Sequence, residues 1–261
     1  MITKEYHTHT YRCKHAEGDV PDYCEAAISK GLTVLGISDH VPLPDNRWDG
    51  IRMDMSELSG YCRAVDAARE SYPKLRILKG MECEYDKKYA SYYRDELLGR
   101  LNFDYLIGSV HFFPCREGWR DAFREIKDSN DLRLYARQFI ATMQSGLFAF
   151  MAHPDLFAMG YLEWDSQSKE CSAEMLEAAA SLDMPLEINA GGLRRPLIVT
   201  PEGRRAGFPL TPFWEMAAEY GIRVIINSDA HRPSDIAGKT DEAYLLAKNC
   251  GLAFAELNIE K

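Results

Sequence analysis

Seven short apolar runs, each ending in a polar motif, constrain the fold of this 261-residue chain more than any other feature. Their β-branched and aromatic residues are typical of buried strands. Most of the motifs begin roughly 30 to 45 residues apart, which suits repeated strand–loop–helix–loop units. The motifs are HTH (7–9), SDH (38–40), GME (80–82), GSVH (108–111), AHP (152–154), EIN (187–189) and NSDAH (227–231).

Helix signals lie between most of these runs. Apolar residues recur at helical spacing, with proline near the start or just beyond the end and glycine at the stop. A parallel barrel of strands and helices typically needs about 250 residues, which matches the length of this chain. We therefore predict one α/β domain over residues 1–261, a closed or nearly closed (β/α) barrel of seven strands. The predicted helical stretches are 20–31, 55–73, 129–146, 172–182, 211–221 and 233–251.

Composition narrows the classes of function. The formal net charge of −9 argues against a broad nucleic-acid-binding surface, which needs clustered Lys and Arg. An anionic substrate stays possible because bound divalent cations reverse the local field. No export signal or membrane-spanning segment is evident, so we expect a cytoplasmic protein without a membrane partner. The seven scattered cysteines contain no CxxC pair and do not predict a disulfide framework.

Nearly all the histidines lie beside the apolar runs. In parallel barrels the carboxyl ends of the strands collect at one end, so the imidazoles would gather in one multinuclear metal centre. The alternative is a few satisfied core histidines and some surface ones, a distribution that would seldom place seven of seven near strand-like runs. The candidates are His7, His9, His15, His40, His111, His153 and His231.

The spacing of the motifs suggests which side chains share an ion. His7 and His9 are two apart on a predicted strand, so both leave the same face and suit one ion. Asp229 and His231 repeat this spacing at the last strand, near the strand end, where the alternation of faces need not continue.

Other motifs leave choices open. Asp39 and His40 are adjacent and should point in opposite directions, so we favour His40 as a ligand and Asp39 as a residue that orients one. Glu82 closes its run and carries a carboxylate that can bridge two ions, whereas we expect Glu84 to be solvated or to support a ligand. Cys13 could approach the site, but we favour a structural role.

Taken together, these motifs resemble a known family. HTHT followed by His15, SDH, GMECEY, GSVH, AHPD and NSDAH resemble the PHP (polymerase and histidinol phosphatase) family, and the segment EINAGGLR resembles its histidinol-phosphatase branch. The resemblance extends from His7 to about Ala247. It implies a distorted (β/α)7 barrel with up to three divalent ions. Imidazole and carboxylate ligands suit zinc, iron and manganese alike.

The resemblance also implies how nine ligands divide among three ions. The first ion would be bound by His7, His9, Glu82 and Asp229, the second by His15, His40 and His231, and the third by His111 and His153, with Glu82 bridging it to the first. Three divalent ions bring a charge of +6, and two ionised carboxylates leave about +4, which suits a phosphate substrate.

The implied activity is hydrolysis of L-histidinol phosphate to L-histidinol and phosphate, a step of histidine biosynthesis. A metal-bridging hydroxide would attack phosphorus, with Glu82, Asp229 and His231 as catalytic residues and Asp229 handling a proton.

Another small phosphomonoester or a nucleotide phosphodiester is the alternative substrate. A polymerase accessory domain would show a longer chain or degraded ligands. An amidohydrolase would usually carry a bridging lysine, and no lysine ends any of the runs.

Three arginines are candidates for binding the phosphate of a small phosphorylated substrate. Arg194 and Arg195 follow EINAGG, where a guanidinium could clamp phosphate bidentately or simply be solvated. Arg194 matches the family position better, and Arg52 resembles another family arginine.

Three irregular stretches, 41–54, 112–129 and 191–210, follow motifs and are candidate substrate-covering loops. In the third, Phe208-Pro209 stands where the family usually has Tyr-Pro. Asp45, Trp48 and Asp49 in the first could contact an amine or imidazole, or have surface and core roles. A homo-oligomer is possible.

Overall fold

The computed structural model describes residues 2–201 and 203–259. No helix in these residues is long and apolar enough to cross a membrane. The strands are β1 (Lys4–Glu5), β2 (Val34–Ile37), β3 (Arg76–Lys79), β4 (Glu82–Glu84), β5 (Ile107–Ser109), β6 (Phe112–Cys115), β7 (Gly118–Asp121), β8 (Phe150–Met151), β9 (Leu186–Asn189), β10 (Ile198–Thr200), β11 (Gly203–Arg205), β12 (Arg223–Asn227) and β13 (Ala253–Phe254). The helices are α1 (Val20–Ser29), α2 (Leu58–Ser71), α3 (Ser129–Gln144), α4 (Ser166–Ser181), α5 (Thr211–Glu219) and α6 (Thr240–Asn249), with a π-helical segment at Tyr92–Arg100.

Parallel strands form the predicted barrel in two sheets. One sheet has the order β1-β2-β3, and the other has the order β13-β12-β9-β8-β5-β4. Two isolated parallel bridges join them, Thr8 with Ala230 and His40 with Glu82. Because β4 follows β3 after only two residues, the pair counts as one position, and seven strand positions surround the axis. The predicted (β/α)7 barrel is confirmed, with its distortion at the two bridged joins and at the added strand β13.

Strand alternation separates the packing face from the polar face. On β9, Leu186 and Ile188 are buried in an apolar cluster with residues of the helices. Glu187 and Asn189, at the alternate positions, are also fully buried but hydrogen-bond to each other. The period of two in a strand therefore sends polar side chains of β9 away from the helices and towards the candidate site.

Helix positions agree with the predicted stretches except in detail. α4 begins at Ser166, before the predicted start, because Asp165 caps it by accepting hydrogen bonds from two amides of the first turn. α6 begins only at Thr240, after the predicted start. The π-helical segment at Tyr92–Arg100 fills a connection for which the sequence pattern predicts no helix.

Two of the three loops expected to be irregular contain hairpins. β6 and β7 pair within 112–129, and β10 and β11 pair within 191–210. Loop 41–54 packs against the first hairpin, because the Trp48 ring stacks on Phe112 with 4.0 Å between centroids and 8° between planes. The peptide between Phe208 and Pro209 is cis.

A buried tyrosine fixes the spacing of the neighbouring strands β2 and β3. The Tyr105 hydroxyl donates a hydrogen bond to the carbonyl of Tyr6 at 2.5 Å. A Cβ atom at Gly36 would lie 2.0 Å from this hydroxyl, and one at Gly80 would lie 2.4 Å from the ring. Both positions therefore require glycine for close approach of the ring.

We expect Gly36→Ala to lower the free energy of unfolding by about 1–3 kcal/mol, because Tyr105 must move to make room for the methyl group. Gly60→Ala is the control. It lies in α2 with only ordinary contact, 3.8 Å from the added Cβ atom, and should raise stability by about 0.5–1 kcal/mol. Urea unfolding measures both changes. A Gly36→Ala protein as stable as the wild type would contradict this packing.

Candidate metal centre

All seven histidines converge at the carboxyl ends of the barrel strands. Each ring lies beside at least one other, so the cluster is continuous across residues that are far apart in the chain. The distances between ring centroids are 5.0 Å for His7–His9, 4.3 Å for His9–His231, 4.5 Å for His9–His40, 4.8 Å for His15–His231, 5.2 Å for His40–His111 and 4.6 Å for His111–His153. The gathering expected from the sequence is present in the structure.

The Glu82 carboxylate lies at the centre of this cluster, with 1% of its side chain exposed. Its two oxygens face different sets of imidazoles, three at Oε2 and two at Oε1. Oε2 lies 3.3 Å from His7 Nε2, 3.4 Å from His9 Nε2 and 3.0 Å from His40 Nδ1; Oε1 lies 3.1 Å from His153 Nε2 and 3.5 Å from His111 Nε2. This two-sided arrangement is the geometry of a carboxylate that can bridge two cations.

Asp229 is a second carboxylate on one side of the cluster. Its Oδ1 lies 3.1 Å from His9 Nε2, 3.6 Å from His7 Nε2 and 3.5 Å from His231 Nδ1. The residue has a φ of 51°, in the left-handed region that non-glycine residues seldom adopt. The turn after β12 thus directs its carboxylate towards His7 and His9, which also face Glu82 Oε2, and towards His231.

Several buried atoms of the cluster lack a hydrogen-bond partner among the described residues. They are His7 Nε2, both ring nitrogens of His9, His153 Nδ1, Glu82 Oε2 and Asp229 Oδ1. Burying a polar atom without a partner is costly. Two ligands bonded to one tetrahedral ion at 2.0–2.1 Å lie about 3.3 Å apart, close to the separations observed here. The donor set therefore fits bound divalent cations.

Hydrogen bonds hold four of the rings from behind. In each ring Nδ1 faces an oxygen, which leaves Nε2 directed into the cluster, as in metal-binding histidines generally. The partners of Nδ1 are Glu187 Oε1 at 2.9 Å for His7, the Cys13 carbonyl at 2.7 Å for His15, Glu84 Oε1 at 2.5 Å for His111 and the Asp229 carbonyl at 3.1 Å for His231. His15 Nε2 and His231 Nε2 consequently face each other at 3.1 Å. Two unprotonated nitrogens repel at this distance unless a cation binds both.

Burial also sets the protonation of several rings. Desolvation lowers the pKa of His9, His15 and His40, and it lowers the pKa of His231 to about 4. These rings are neutral at neutral pH. Neutral imidazole is the form that binds metal, so no proton has to leave these four rings before a cation binds.

The two central carboxylates carry negative charge. Burial by itself would raise the pKa of Glu82 and Asp229, but the surrounding imidazoles, His7 foremost, hold the pKa of both well below the ordinary value. Conversely, burial opposes a proton on His7, yet Glu187 and Glu82 raise the pKa of His7 well above its ordinary value. The carboxylates Glu82 and Glu84 likewise raise the pKa of His111 against the effect of burial. The centre therefore combines two ionised carboxylates with the four neutral rings and two rings, His7 and His111, that hold a proton more readily.

Glu187 is a residue of the site that the sequence analysis does not single out. Its Oε1 accepts hydrogen bonds from His7 Nδ1 at 2.9 Å and Asn227 Nδ2 at 2.8 Å. Its Oε2 accepts from Asn189 Nδ2 at 2.8 Å and from the backbone amide of His153 at 3.2 Å. It thereby positions two histidines on opposite sides of Glu82. The available signal was an acidic residue inside a strand-like run, LEIN.

Two acidic residues left open by the sequence also support ligands. Glu84 is buried and accepts hydrogen bonds from the Nδ1 and backbone amide of His111. Of the two expectations for Glu84, support of a ligand is observed and solvation is wrong. Asp39 accepts hydrogen bonds from the Thr10 amide and hydroxyl, both at 2.7 Å, and so fixes the turn after His9.

Arg194 holds the backbone that carries Asp229. Its Nη2 donates to the carbonyls of Ser228 at 2.6 Å and Asp229 at 3.1 Å, and its Nη1 donates to the carbonyl of Gly238 at 3.0 Å. These contacts give Arg194 a positioning role that the sequence did not suggest. Phosphate binding by Arg194 stays a prediction, and none of these contacts supports it.

Arg195 has a different environment. It is exposed, and its guanidinium lies 4.8 Å from the Phe123 ring and 5.9 Å from the Phe208 ring. Phe123 stacks on His111 with 5.8 Å between centroids, and Phe208 meets His153 edge-on at 6.2 Å. The charge of Arg195 thus lies above the rings that cover two histidines of the centre.

Arg52 is buried with 1% exposure. Its Nη1 donates to the Val41 carbonyl at 3.0 Å, and its guanidinium lies 5.2 Å from the Trp48 ring. Its Nε and Nη2 lack a hydrogen-bond partner in the described part of the chain. Burial lowers the pKa of Arg52, whereas the charges of Glu84 and Glu82 raise it. These free donors suit an anion.

The acidic residues of loop 41–54 contact basic side chains of the loop and of neighbouring segments. Asp45 pairs with Arg47 at 2.8 Å and with Lys88 at 2.9 Å. The carbonyl of Asp49 accepts a hydrogen bond from Lys14 at 2.7 Å. Contact of these residues with an amine or imidazole stays a prediction.

The similarity of this chain to known proteins agrees with the geometry of the site. The family model for the PHP domain matches residues 5–191, a segment that includes six of the seven histidines and Glu82. The chain belongs to the PHP domain family.

Two relatives align with this chain over most of their length, and both are named histidinol-phosphatases. The chain is 28% identical over 254 residues to the probable histidinol-phosphatase of Deinococcus radiodurans, covering 94% of this chain and 92% of that protein. It is 23% identical over 278 residues to the histidinol-phosphatase of Bacillus subtilis, covering 94% and 99%.

The barrel is similar to a solved PHP-type fold. The histidinol phosphate phosphatase of Lactococcus lactis, crystallised with zinc, L-histidinol and phosphate, matches with a TM-score of 0.75 and 19% identity, over 99% of both chains. At this identity the likeness shows a shared fold.

We expect Glu187→Gln to weaken the binding of divalent metal by about 10- to 100-fold. The NH2 group of the glutamine side chain would face groups that are themselves hydrogen-bond donors, so the histidines would lose part of their support. Titration of the metal-free protein with Zn²⁺, followed by calorimetry, measures the change. Glu177→Gln, the same substitution at an exposed position on α4, is the control and should bind as the wild type does. Equal affinity of both variants would contradict the role of Glu187.

Proposed function

We propose that this PHP protein is a metal-dependent phosphomonoesterase that hydrolyses L-histidinol phosphate to L-histidinol and phosphate. The observation that carries the proposal is the buried Glu82 carboxylate, whose two oxygens face separate sets of imidazoles. Such a centre suits several cations and hence a phosphate dianion. The named relatives support this substrate over other esters.

We propose three divalent ions, of zinc, iron or manganese, with the ligand sets that the family resemblance implies. The Glu82 contacts support the division between the first and third ions, because His7 and His9 face Oε2, whereas His111 and His153 face Oε1. His40 Nδ1 also lies 3.0 Å from Oε2, so its place at the second ion rests on the family resemblance. The short distance between His15 Nε2 and His231 Nε2 supports a separate ion at those two rings. The ligands proposed for the first ion are His7, His9, Glu82 and Asp229; for the second, His15, His40 and His231; and for the third, His111, His153 and Glu82.

Ions bound there would lower the pKa of a water molecule to near neutrality and neutralise charge that develops on the phosphate. The residues of the chain have other tasks. Asp229 is ionised and lies beside His7 and His9, and we propose that it handles a proton during hydrolysis in addition to binding the first ion. Glu82 and His231 keep the centre assembled, and His231 is neutral at working pH.

Arg195 and Arg52 are the proposed phosphate-binding residues. Arg195 offers an exposed guanidinium on the aromatic rings that cover His111 and His153. Arg52 offers two free buried donors. A guanidinium in either place matches the planar donor geometry that phosphate oxygens accept.

We expect Arg195→Ala to lower kcat/KM by about 10- to 100-fold, mainly through KM, because one charge-assisted contact with the phosphate is lost. Its thermal midpoint should stay close to that of the wild type, since the side chain is exposed. Arg194→Ala is the comparison. It should lower the thermal midpoint and kcat, because the backbone of Asp229 loses its support. If Arg195→Ala instead lowered the thermal midpoint and Arg194→Ala acted mainly through KM, the two roles would be exchanged.

Phosphate release tests the activity itself. The metal-free protein is reloaded separately with Zn²⁺, Fe²⁺ or Mn²⁺ and offered L-histidinol phosphate, other small phosphomonoesters and a nucleotide phosphodiester. We expect L-histidinol phosphate to be the preferred substrate under at least one loading. Turnover of another ester with none of L-histidinol phosphate would remove the substrate assignment and leave a phosphoesterase. Cytoplasmic location and a homo-oligomer stay predictions.

A further inference from the structure

Cys13 differs from the other buried cysteines of the chain. Cys24, Cys62 and Cys83 lie in one apolar cluster and Cys171 lies in another. Cys13 is also fully buried, but it belongs to neither cluster. An apolar packing role, which the sequence favours for this residue, therefore does not describe its surroundings.

The surroundings of Cys13 are imidazoles and a carboxylate. Its Sγ and one ring nitrogen each of His15 and His231 all lie within 4.8 Å of one another, and so do its Sγ, a ring nitrogen of His9 and an oxygen of Asp39. Both ring nitrogens of His9 are buried and lack a hydrogen-bond partner among the described residues. A thiol enclosed by three imidazoles is a metal-ligand environment rather than an apolar one.

The backbone of Cys13 also prepares the same place. Its carbonyl faces His15 Nδ1 at 2.7 Å and leaves Nε2 of that ring towards His231. Lys14, the next residue, has a φ of 67°, and this left-handed turn brings residues 13 and 15 to the same side of the cluster. The Cys13 side chain and carbonyl thus both lie against the group formed by His15 and His231.

We propose that the Cys13 thiolate is a fourth ligand of the second ion, beside His15, His40 and His231. The inference rests on the metal centre of the proposed function. The Cys13 Sγ and one ring nitrogen each of His15 and His231 form the compact part of this set, and the His40 ring lies beside it, 5.2 Å from the His15 ring between centroids. One thiolate and three imidazoles make a complete tetrahedral set for zinc.

Metal binding at Cys13 exchanges the thiol proton for the cation. The S–H bond of Cys13 breaks, its proton leaves to solvent, and a sulfur–metal bond forms. The thiolate lowers the net charge of the loaded centre from about +4 to about +3. Sulfur is a soft ligand that favours zinc over manganese, so the second ion should be the one most selective for zinc.

X-ray absorption at the zinc edge tests the proposal on the wild-type fold. Cys115→Ser/Cys250→Ser serves as the background, because these are the two partly exposed thiols. We expect a sulfur scatterer at about 2.3 Å from zinc in the fully loaded protein. A shell of nitrogen and oxygen alone would overturn the proposal, and this measurement requires no change at Cys13.

Cobalt loading of variants in the same background provides the matched test. We expect a near-ultraviolet thiolate-to-Co²⁺ absorption band that Cys13→Ser abolishes and Cys24→Ser retains, with Zn²⁺ affinity of one site weakened more than about tenfold in Cys13→Ser. A band that survives Cys13→Ser would overturn the proposal. Phosphate release is measured separately: turnover without zinc-bound sulfur refutes only the Cys13 ligand, whereas bound sulfur without turnover refutes only the proposed function.

Discussion

The rest of the site depends on one buried carboxylate between two groups of imidazoles. Glu82 is almost completely excluded from solvent, and a buried charge is costly unless it is paired. Burial keeps His9 and His40 neutral, so they cannot supply the compensating charge, and His7 can supply it only while protonated, a form that does not bind metal. Divalent cations can, and their binding would then contribute directly to the stability of the folded chain. The geometry of the centre and its need for cations thus have the same cause.

The barrel supplies two layers of groups around Glu82. Histidines at the strand ends form the inner layer. Behind them, Glu187 and Glu84 accept hydrogen bonds from His7 and His111. Rings oriented in this way lose little freedom when a cation binds, which is how outer hydrogen bonds strengthen metal sites. The same logic extends to Arg194, which acts on Asp229 through the backbone.

Much of this arrangement is predictable from the sequence, because parallel strands end at the same edge and strand alternation has a fixed period. The motifs predict seven strand positions and the gathering of the histidines. Glu187 and the support by Arg194 are not predictable in this way, since each depends on contacts between distant segments. The π-helical segment at Tyr92–Arg100 and the hairpins in the loops lack distinctive local signals. Glu84, left open by spacing, is decided by burial.

The central claim is that Glu82 bridges two ions, one on each side of its carboxylate. Anomalous diffraction from crystals of the zinc-loaded wild-type protein tests this most directly. The account predicts separate anomalous peaks within bonding distance of Oε1 and Oε2. The peak at Oε1 should also be ligated by His111 and His153, and the peak at Oε2 by His7 and His9. A single peak bound by both oxygens, or peaks that leave Glu82 uncoordinated, would contradict it.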